Sequence, residues 1–282
     1  MPFRPKRHLF VRALPCALAL LTATSPLTSW AADAWPTKPV RMVVGYPSGS
    51  SPDVQARLLA EPLSRALGQP VVVENKPGAG GNIGADLIAK AEDGHAIGVV
   101  GNGPLTSSKH LYPKLPYDPI KDLAPVALIG SAPLVWVAAR PAQGTLSAAQ
   151  YVAHARSEGD RLAYGSIGAG SGGHLGMELL KLRLGLRPLH VPFNGGAALQ
   201  SAVLGGHAPA GIDVVMGWQQ NARAGKVTVL ATSGAQRSKV LPDVPTFREA
   251  GFPDVVGNGW FAMYAPAKTP AAQVEEINRA LN

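Results

Sequence analysis

The sequence Tyr164-Gly-Ser-Ile-Gly-Ala-Gly-Ser-Gly-Gly-His-Leu175 contains the transition that decides the fold. Residues 161–166 are predicted to form a strand, the glycine- and serine-rich residues a loop, and the residues from His174 onward a helix. A strand at residues 189–193, a Gly-Gly loop, a short helix and a strand that ends near Asp213 follow. Strands that alternate with helices predict a parallel sheet with right-handed crossover connections.

The same order of elements occurs once before, near the start of the chain. Residues 40–45 are predicted to form a strand, and residues 52–67 a helix with Ser51 as its N-cap and Gly68 at its end. Another strand, a glycine-rich loop, a second helix and a third strand complete this first copy. The apolar residues predicted to form the buried face of the first helix are Val54, Leu58, Leu59 and Leu63.

Two copies of one unit predict an α/β fold of two lobes with a cleft between them. Each lobe is expected to be a mostly parallel sheet flanked by helices. Residues 134–139 and 260–265 are expected to be strands that cross between the lobes. The predicted domains are lobe 1, residues 35–135 plus 248–282, and lobe 2, residues 136–247.

The first 31 residues have the features of a secretory signal peptide. Residues 1–12 contain four basic and no acidic residues, an apolar run at 13–21 follows, and Ser29-Trp30-Ala31 has the form of a cleavage site. Cleavage between Ala31 and Ala34 and a periplasmic location are therefore predicted. The alternative is an N-terminal membrane anchor, although the apolar run is short for a membrane-spanning helix.

The charge and the cysteine content both depend on that cleavage. The 282-residue chain has a formal net charge of +8, and removal of residues 1–31 leaves 22 basic and 18 acidic residues, or +4. Cys16, the single cysteine, is removed as well, so no disulfide, thiolate nucleophile or cysteine-bound metal is predicted. Lys and Arg are dispersed, which argues against nucleic acid as a partner.

The loops rich in glycine and serine are the predicted binding elements. In an open α/β sheet the ligand lies beyond the carboxyl ends of the strands, where helix N-termini offer free N–H groups and a positive dipole. The expected ligand is a small carboxylate, and the alternative is that these loops are ordinary turns. Asp53 is expected to cap a helix, with direct ligand contact as the alternative, and His174 to orient its loop as a donor. Asp213 fits a structural or a ligand-binding role.

Other functions find less support. Gly168-x-Gly-x-x-Gly173 follows a strand as in dinucleotide-binding folds, but no acidic residue lies about 20 residues further on. The phosphate-loop and nucleophile-elbow motifs are absent from the sequence, and the histidines are scattered, so neither a cofactor nor a metal is predicted. Two alternatives stay open: a periplasmic enzyme with Asp53, His174 and Asp213 as acid–base candidates, and a ligand sensor.

Six motifs occur in a specific order along the chain after residue 31. They are Gly45-Tyr-Pro-Ser-Gly-Ser-Ser-Pro-Asp53, Val71-Val-Val-Glu-Asn-Lys-Pro-Gly-Ala-Gly-Gly-Asn-Ile-Gly-Ala85, Leu111-Tyr-Pro-Lys-Leu-Pro-Tyr-Asp-Pro119, the sequence from Tyr164 to Leu175 given above, Leu241-Pro-Asp-Val-Pro-Thr246 and Ala265-Pro-Ala-Lys-Thr-Pro270. Together they resemble the substrate-binding proteins of tripartite tricarboxylate transporters, the Bug or TctC-like family. The resemblance implies a type II periplasmic-binding-protein fold, no catalysis, a monomer, and capture of a small mono- or dicarboxylate for the permease subunits of such a transporter.

The resemblance also implies a division of the binding site between the lobes. Residues 48–51 are expected to hold a ligand carboxylate, and residues 166–171 the other part of the ligand, with bridging waters. The candidate ligand-binding residues are Tyr46, Ser48, Gly49, Ser50, Ser51, Asp53, Asn102, Gly103, Ser166, Gly168, Gly170, Ser171, His174 and Asp213.

The chain departs from the family pattern at three places. The usual first-lobe loop resembles Pro-Pro-Gly-Gly-Ser-Thr-Asp, whereas this chain has serine for the second glycine and Pro52 for threonine, which removes one N–H donor. Pro62 inside the first helix is expected to kink it or to force a local repair. The helix predicted from Pro270 reaches the last residue, Asn282, where family members continue, so the C-terminal part of lobe 1 is expected to be incomplete.

Overall fold

The computed structural model describes residues 35–139, 146–252 and 255–282, so the predicted signal peptide and cleavage site lie outside the described residues. The strands among these residues are β1 (Val40–Val44), β2 (Val71–Asn75), β3 (Ala96–Gly101), β4 (Leu123–Ala139), β5 (Ala163–Ser166), β6 (Leu189–Pro192), β7 (Ala210–Val214), β8 (Val227–Thr232) and β9 (Asn258–Pro266). They hydrogen-bond in the order β2-β1-β3-β9-β4-β7-β5-β6, and β8 also pairs with β4.

The long strand β4 belongs to two sheets, because its two halves pair with different partners. Residues 123–133 pair antiparallel with β9 in the first sheet, and residues 134–139 pair antiparallel with β7 and β8 in the second. Each sheet also has a parallel part, with β1 between β2 and β3, and β5 between β6 and β7. The predicted α/β fold with two similar sheets is thereby confirmed.

Helices flank both sheets and bury separate apolar cores. Leu63, Ile97 and Met263 are among the buried residues of the first core, and Trp136 and Leu180 are among those of the second. The helices are α1 (Ser51–Leu67), α2 (Asn82–Ala89), α3 (Asn102–Thr106), α4 (Ser108–Leu111), α5 (Ala148–Glu158), α6 (Gly172–Leu184), α7 (Gly196–Leu204), α8 (Val215–Arg223) and α9 (Ala271–Leu281).

The crossings between the sheets lie elsewhere than predicted. Residues 134–139 belong wholly to the second sheet, because the strand begins eleven residues earlier, at Leu123, and crosses at Pro133. Strand β9 lies wholly in the first sheet, where it pairs with β3 and β4. The return crossing therefore precedes it, near Gly257, whose N–H still bonds to Ser233 in the second half (3.1 Å). The lobe limits at residues 135 and 248 stay predictions.

Helix α1 begins one residue earlier than predicted, with Ser50 as its N-cap. The Ser50 hydroxyl donates to the Pro47 carbonyl (2.6 Å), so it closes the loop rather than capping a helix amide. The helix ends at Leu67 as predicted, because Gly68 adopts the left-handed conformation (φ 69°). The chain stays helical through Pro62.

The buried face of α1 was predicted only in part. Leu63 is fully buried against the first sheet, but Val54 is 49% and Leu58 70% exposed. Both side chains line a cavity between the sheets. Helical spacing alone does not distinguish a face that packs on a sheet from one that faces an open cavity.

Helices α3, α4, α5 and α8 were not predicted. Helix α5 carries a capping box in which Gln150 N–H donates to the Ser147 hydroxyl and the Gln150 side chain accepts from the Ser147 N–H. Helix α8 follows β7 directly, with Val214 as its N-cap. Of the helices that the structure describes, none has the length and apolar character needed to cross a membrane.

Candidate functional site

A cavity of about 560 Å³ is lined by residues of both sheets and their helices. Three helix N-termini reach it. Ser51 and Pro52 begin α1, Gly196 and Ala197 begin α7, and Met216 lies in the first turn of α8. The first turn of a helix has amides without an acceptor in the helix and carries the positive end of the dipole. The cavity is therefore suited to an anion.

The walls of the cavity hold little formal charge. Among its described lining residues there is no Lys, Arg or His, and one residue, Asp213, is acidic. The polar side chains that line it include the amides of Gln55, Gln200 and Gln220. Attraction for an anion must therefore come from backbone and side-chain dipoles.

Asp213 ends β7 and lies between the starts of two helices. A methyl group on Gly196 of α7 would lie 3.0 Å from its Oδ2 atom, and one on Gly217 of α8 would lie 3.7 Å away. Asp213 is 5% exposed, and this burial raises the pKa of its carboxyl group to about 7. A hydrogen bond from the Val214 N–H lowers the pKa, but its effect is smaller than that of burial. The carboxyl group is therefore poised between its neutral and ionised forms near neutral pH.

Tyr46 lines the cavity and is packed beneath it. Its ring meets Phe261 edge-on at 5.7 Å, and its hydroxyl group donates to the Gly80 carbonyl at 3.4 Å. Burial is the larger cause that raises the pKa of Tyr46, and the nearby Asp213 carboxylate raises it further. Tyr46 is therefore neutral, and it supplies a wall and a fixed hydroxyl group.

Asp53 does not line the cavity but holds the loop that does. Its carboxylate accepts from the Gly49 N–H (2.8 Å), the Asn75 side-chain amide (2.8 Å) and Arg57 Nε (3.1 Å). Burial alone would raise the pKa of Asp53, but Arg57 and these hydrogen bonds hold it below its usual value. Both carboxylate oxygens are thus engaged, so Asp53 acts structurally, but it holds the loop and does not form the expected helix cap.

The second loop, residues 166–171, makes contacts between the lobes, and of its residues Ile167 lines the cavity. The Ser107 hydroxyl, from the first half, donates to the Gly170 carbonyl at 2.6 Å. Gly168 lies so close to Gly80 that an added Cβ would be 2.8 Å from the Gly80 Cα atom. Ser171 caps α6 by accepting from the His174 N–H (3.2 Å). Ligand contact by this loop stays a prediction.

His174 orients this loop, but as an acceptor and not as the expected donor. Its Nδ1 atom accepts from the Gly170 N–H at 3.0 Å. Its ring stacks on His190, with centroids 3.9 Å apart, and His190 Nε2 is 2.7 Å from the Ser166 hydroxyl. Burial lowers the pKa of His174 and brings that of His190 to about 4. Both rings are therefore neutral near neutral pH.

The remaining predicted residues are not among those that line the cavity. An added Cβ on Gly172 would be 3.0 Å from Asn102 Nδ2, and one on Gly103 would be 3.1 Å from the Gly170 carbonyl. Both contacts join the halves of the molecule. Ser48 lies 3.5 Å from Asp53 Oδ2, within the first loop. Of the fourteen candidates, those that line the cavity are Tyr46, Gly49, Ser50, Ser51 and Asp213.

Several lining residues were missed by sequence reasoning. Val54 and Leu58 were assigned to the core, and α8 was not predicted at all. The Asn194-Gly-Gly196 loop carried a usable indication, because it precedes a helix as the other loops do. The additional lining residues include Gln55, Ile167, Ala197, Gln200, Met216 and Gln220.

Comparison with known proteins shows which proteins the chain is similar to. Protein BugT of Bordetella pertussis is 37% identical over 253 residues, which cover 89% of this chain and 77% of BugT. MatC of Rhodopseudomonas palustris, solved with bound malate, superposes with a TM-score of 0.82 at 34% identity over 87% of this chain and 84% of MatC. Rpa4515 of R. palustris, solved with adipate, superposes with a TM-score of 0.83 at 33% identity over 88% of this chain and 83% of the Rpa4515 chain.

The family model described as a tripartite tricarboxylate transporter family receptor matches residues 55–282. This range includes both sheets, apart from β1, and most of the residues that line the cavity. The chain belongs to this family of receptors, and it is a solute-binding protein, not an enzyme.

Proposed function

We propose that this protein is a periplasmic receptor that captures a small organic carboxylate in its cavity and delivers it to the permease of a tripartite tricarboxylate-type transporter. The observation that carries the proposal is the meeting of three helix N-termini, α1, α7 and α8, at one cavity. A carboxylate there receives N–H donors and favourable dipoles from both sheets. Malate in MatC and adipate in Rpa4515 are carboxylates, which supports this ligand class.

The proposed contacts follow from the lining residues. Ser51 and the adjacent loop at Gly49 would hold the carboxylate from the first sheet, and Gly196 and Ala197 from the second. Asp213 would bond to a hydroxyl group or a water beside the ligand. Residues 166–171 and Asn102-Gly103 would act by joining the lobes around it.

Binding is tested by thermal and calorimetric titration of the purified protein with butanoate, malate, adipate and citrate. A carboxylate at 100 times its Kd is expected to stabilise the fold by about 2.7 kcal/mol. If none of these acids stabilises a well-folded sample, carboxylate binding is wrong.

Ala197→Pro tests the contribution of a helix amide. Ala197 is the second residue of α7 and lines the cavity, and proline is tolerated in the first turn of a helix but removes the N–H group. Loss of a hydrogen bond to a charged group costs about 1.5–3 kcal/mol, so we expect about 10- to 150-fold weaker binding. Ala149→Pro, at the second position of α5, is the matched control outside the cavity and should bind like the parent. Equal affinities of the two variants would place the carboxylate away from α7.

Delivery needs a separate measurement. Uptake of the labelled acid by cells should require both this receptor and the permease, and a receptor carrying Ala197→Pro should reduce uptake in proportion to its loss of affinity. Tight binding without any dependence of uptake on the receptor would instead favour a sensor.

A further inference from the structure

The cavity has an apolar side that the binding of a carboxylate group does not use. Val54 and Leu58 of α1 are 49% and 70% exposed, and Met216 of α8 is 54% exposed. All three line the cavity, and they come from helices on different sheets. Large apolar side chains on both walls of one cavity remain available for contact with a ligand.

The polar and apolar groups are separated along α1. Ser51 is its first residue, and Leu58 lies seven residues further on, about 10 Å along the axis. Side chains at positions 54 and 58 lie one turn apart on the same face. A ligand whose carboxylate lies at the start of α1 therefore meets Val54 and then Leu58 as it extends along the helix.

The charges argue against a second or third carboxylate on the ligand. Among the described lining residues no Lys, Arg or His is available to neutralise one. Each helix N-terminus carries about half a positive charge, so the three together, about +1.5, balance one carboxylate but not two. An apolar chain, in contrast, is stabilised by contact with exposed apolar side chains.

We propose that the preferred ligand is a monocarboxylate with an apolar chain of several carbon atoms, and that Val54, Leu58 and Met216 select it. This proposal rests on the proposed function, since it names the substrate class of the same cavity. Each buried methylene group lowers the Kd about fourfold. Affinity should therefore rise steeply with chain length until the chain passes Leu58.

The test is calorimetric titration of the purified protein with acetate, butanoate, hexanoate and octanoate, beside succinate, malate and citrate. We expect the Kd to fall about fourfold per methylene group from acetate to hexanoate and citrate to bind most weakly. A dicarboxylate or citrate that binds more tightly than every monocarboxylate, or a Kd independent of chain length, would overturn the proposal but leave carboxylate binding intact. No binding by any acid would overturn the proposed function itself.

Leu58→Ala identifies the selecting side chain. It should weaken octanoate binding at least fivefold and leave acetate binding unchanged. Leu182 on α6 is 79% exposed and is not a lining residue, so Leu182→Ala is the matched control and should leave both affinities unchanged. Because Leu58 is exposed, its removal should not unfold the protein, and circular dichroism verifies this. Equal loss of acetate and octanoate affinity in Leu58→Ala would contradict a role in chain selection.

Discussion

The buried carboxyl group of Asp213 should make the stability of the protein depend on pH. Its pKa is raised from 3.8 to about 7 because burial disfavours the ionised form. Between these pH values the folded chain holds a proton that the unfolded chain has released. The free energy of unfolding therefore falls as the pH rises through this range, and Asp213→Asn, which keeps the shape but cannot ionise, should abolish this loss.

The size of the effect follows from the two pKa values. A folded pKa of about 7 against 3.8 in the unfolded chain destabilises the fold by about 4 kcal/mol once the group is ionised in both states. About 2 kcal/mol of this is already present near pH 5, because the unfolded chain has lost its proton there. Between about pH 5 and about pH 8 the parent should therefore lose about 2–3 kcal/mol relative to Asp213→Asn.

Urea unfolding at both pH values, followed by circular dichroism, measures this difference. Asp160→Asn, which removes an exposed carboxylate, controls for the change in net charge and should behave like the parent. If the parent and Asp213→Asn lose stability in parallel between the two pH values, the Asp213 carboxyl group is not isolated from water as its burial implies.

Two further predictions concern backbone contacts. Ser107→Ala removes the hydroxyl group that donates to the Gly170 carbonyl across the lobes (2.6 Å). Calorimetry should therefore show carboxylate binding weakened about 2- to 10-fold. Unchanged affinity would show that this hydrogen bond does not favour the ligand-bound state. Gly84→Ala places a Cβ 2.5 Å from the Gly45 Cα atom, where backbone cannot yield, and should lower the unfolding free energy by about 1–3 kcal/mol in urea titrations. Gly176→Ala, whose Cβ would meet Leu134 at an ordinary 3.5 Å, is the control, and equal stability of the two variants would refute the clash.

Most strands and several helix ends were predictable because their causes are local. Gly68 ends α1 through its positive φ, and β8 has the predicted limits, Val227–Thr232. The capping box at Ser147 and Gln150 was also visible in the sequence, so α5 could have been found. Helix α8 could not be found in this way, because Val214 both ends β7 and caps α8 without a polar side chain.

The candidate site was less predictable because it depends on how two distant segments face each other. Asp213 was found since the end of a parallel strand points to the ligand side of its sheet. The loop at residues 166–171 has the composition of a binding loop, yet of its residues Ile167 alone lines the cavity, whereas Gly170 and Gly168 contact Ser107 and Gly80 of the other half. Leu58 fits an apolar stripe but faces a cavity. No local pattern determines which of two surfaces a loop or helix face meets.

Ser233 forms hydrogen bonds to both of the segments that cross between the two sheets. Its N–H donates to the Leu134 carbonyl at 2.9 Å, and its hydroxyl accepts from the Leu134 N–H at 2.9 Å. Its carbonyl also accepts from Gly257 at 3.1 Å, so one residue holds both crossing segments. These bonds lie at the crossings themselves, where a rotation of the sheets changes distances least. The bond from Ser107 to Gly170 lies between loops, where the same rotation would break it, and Ser107→Ala therefore probes closure without disturbing the crossings.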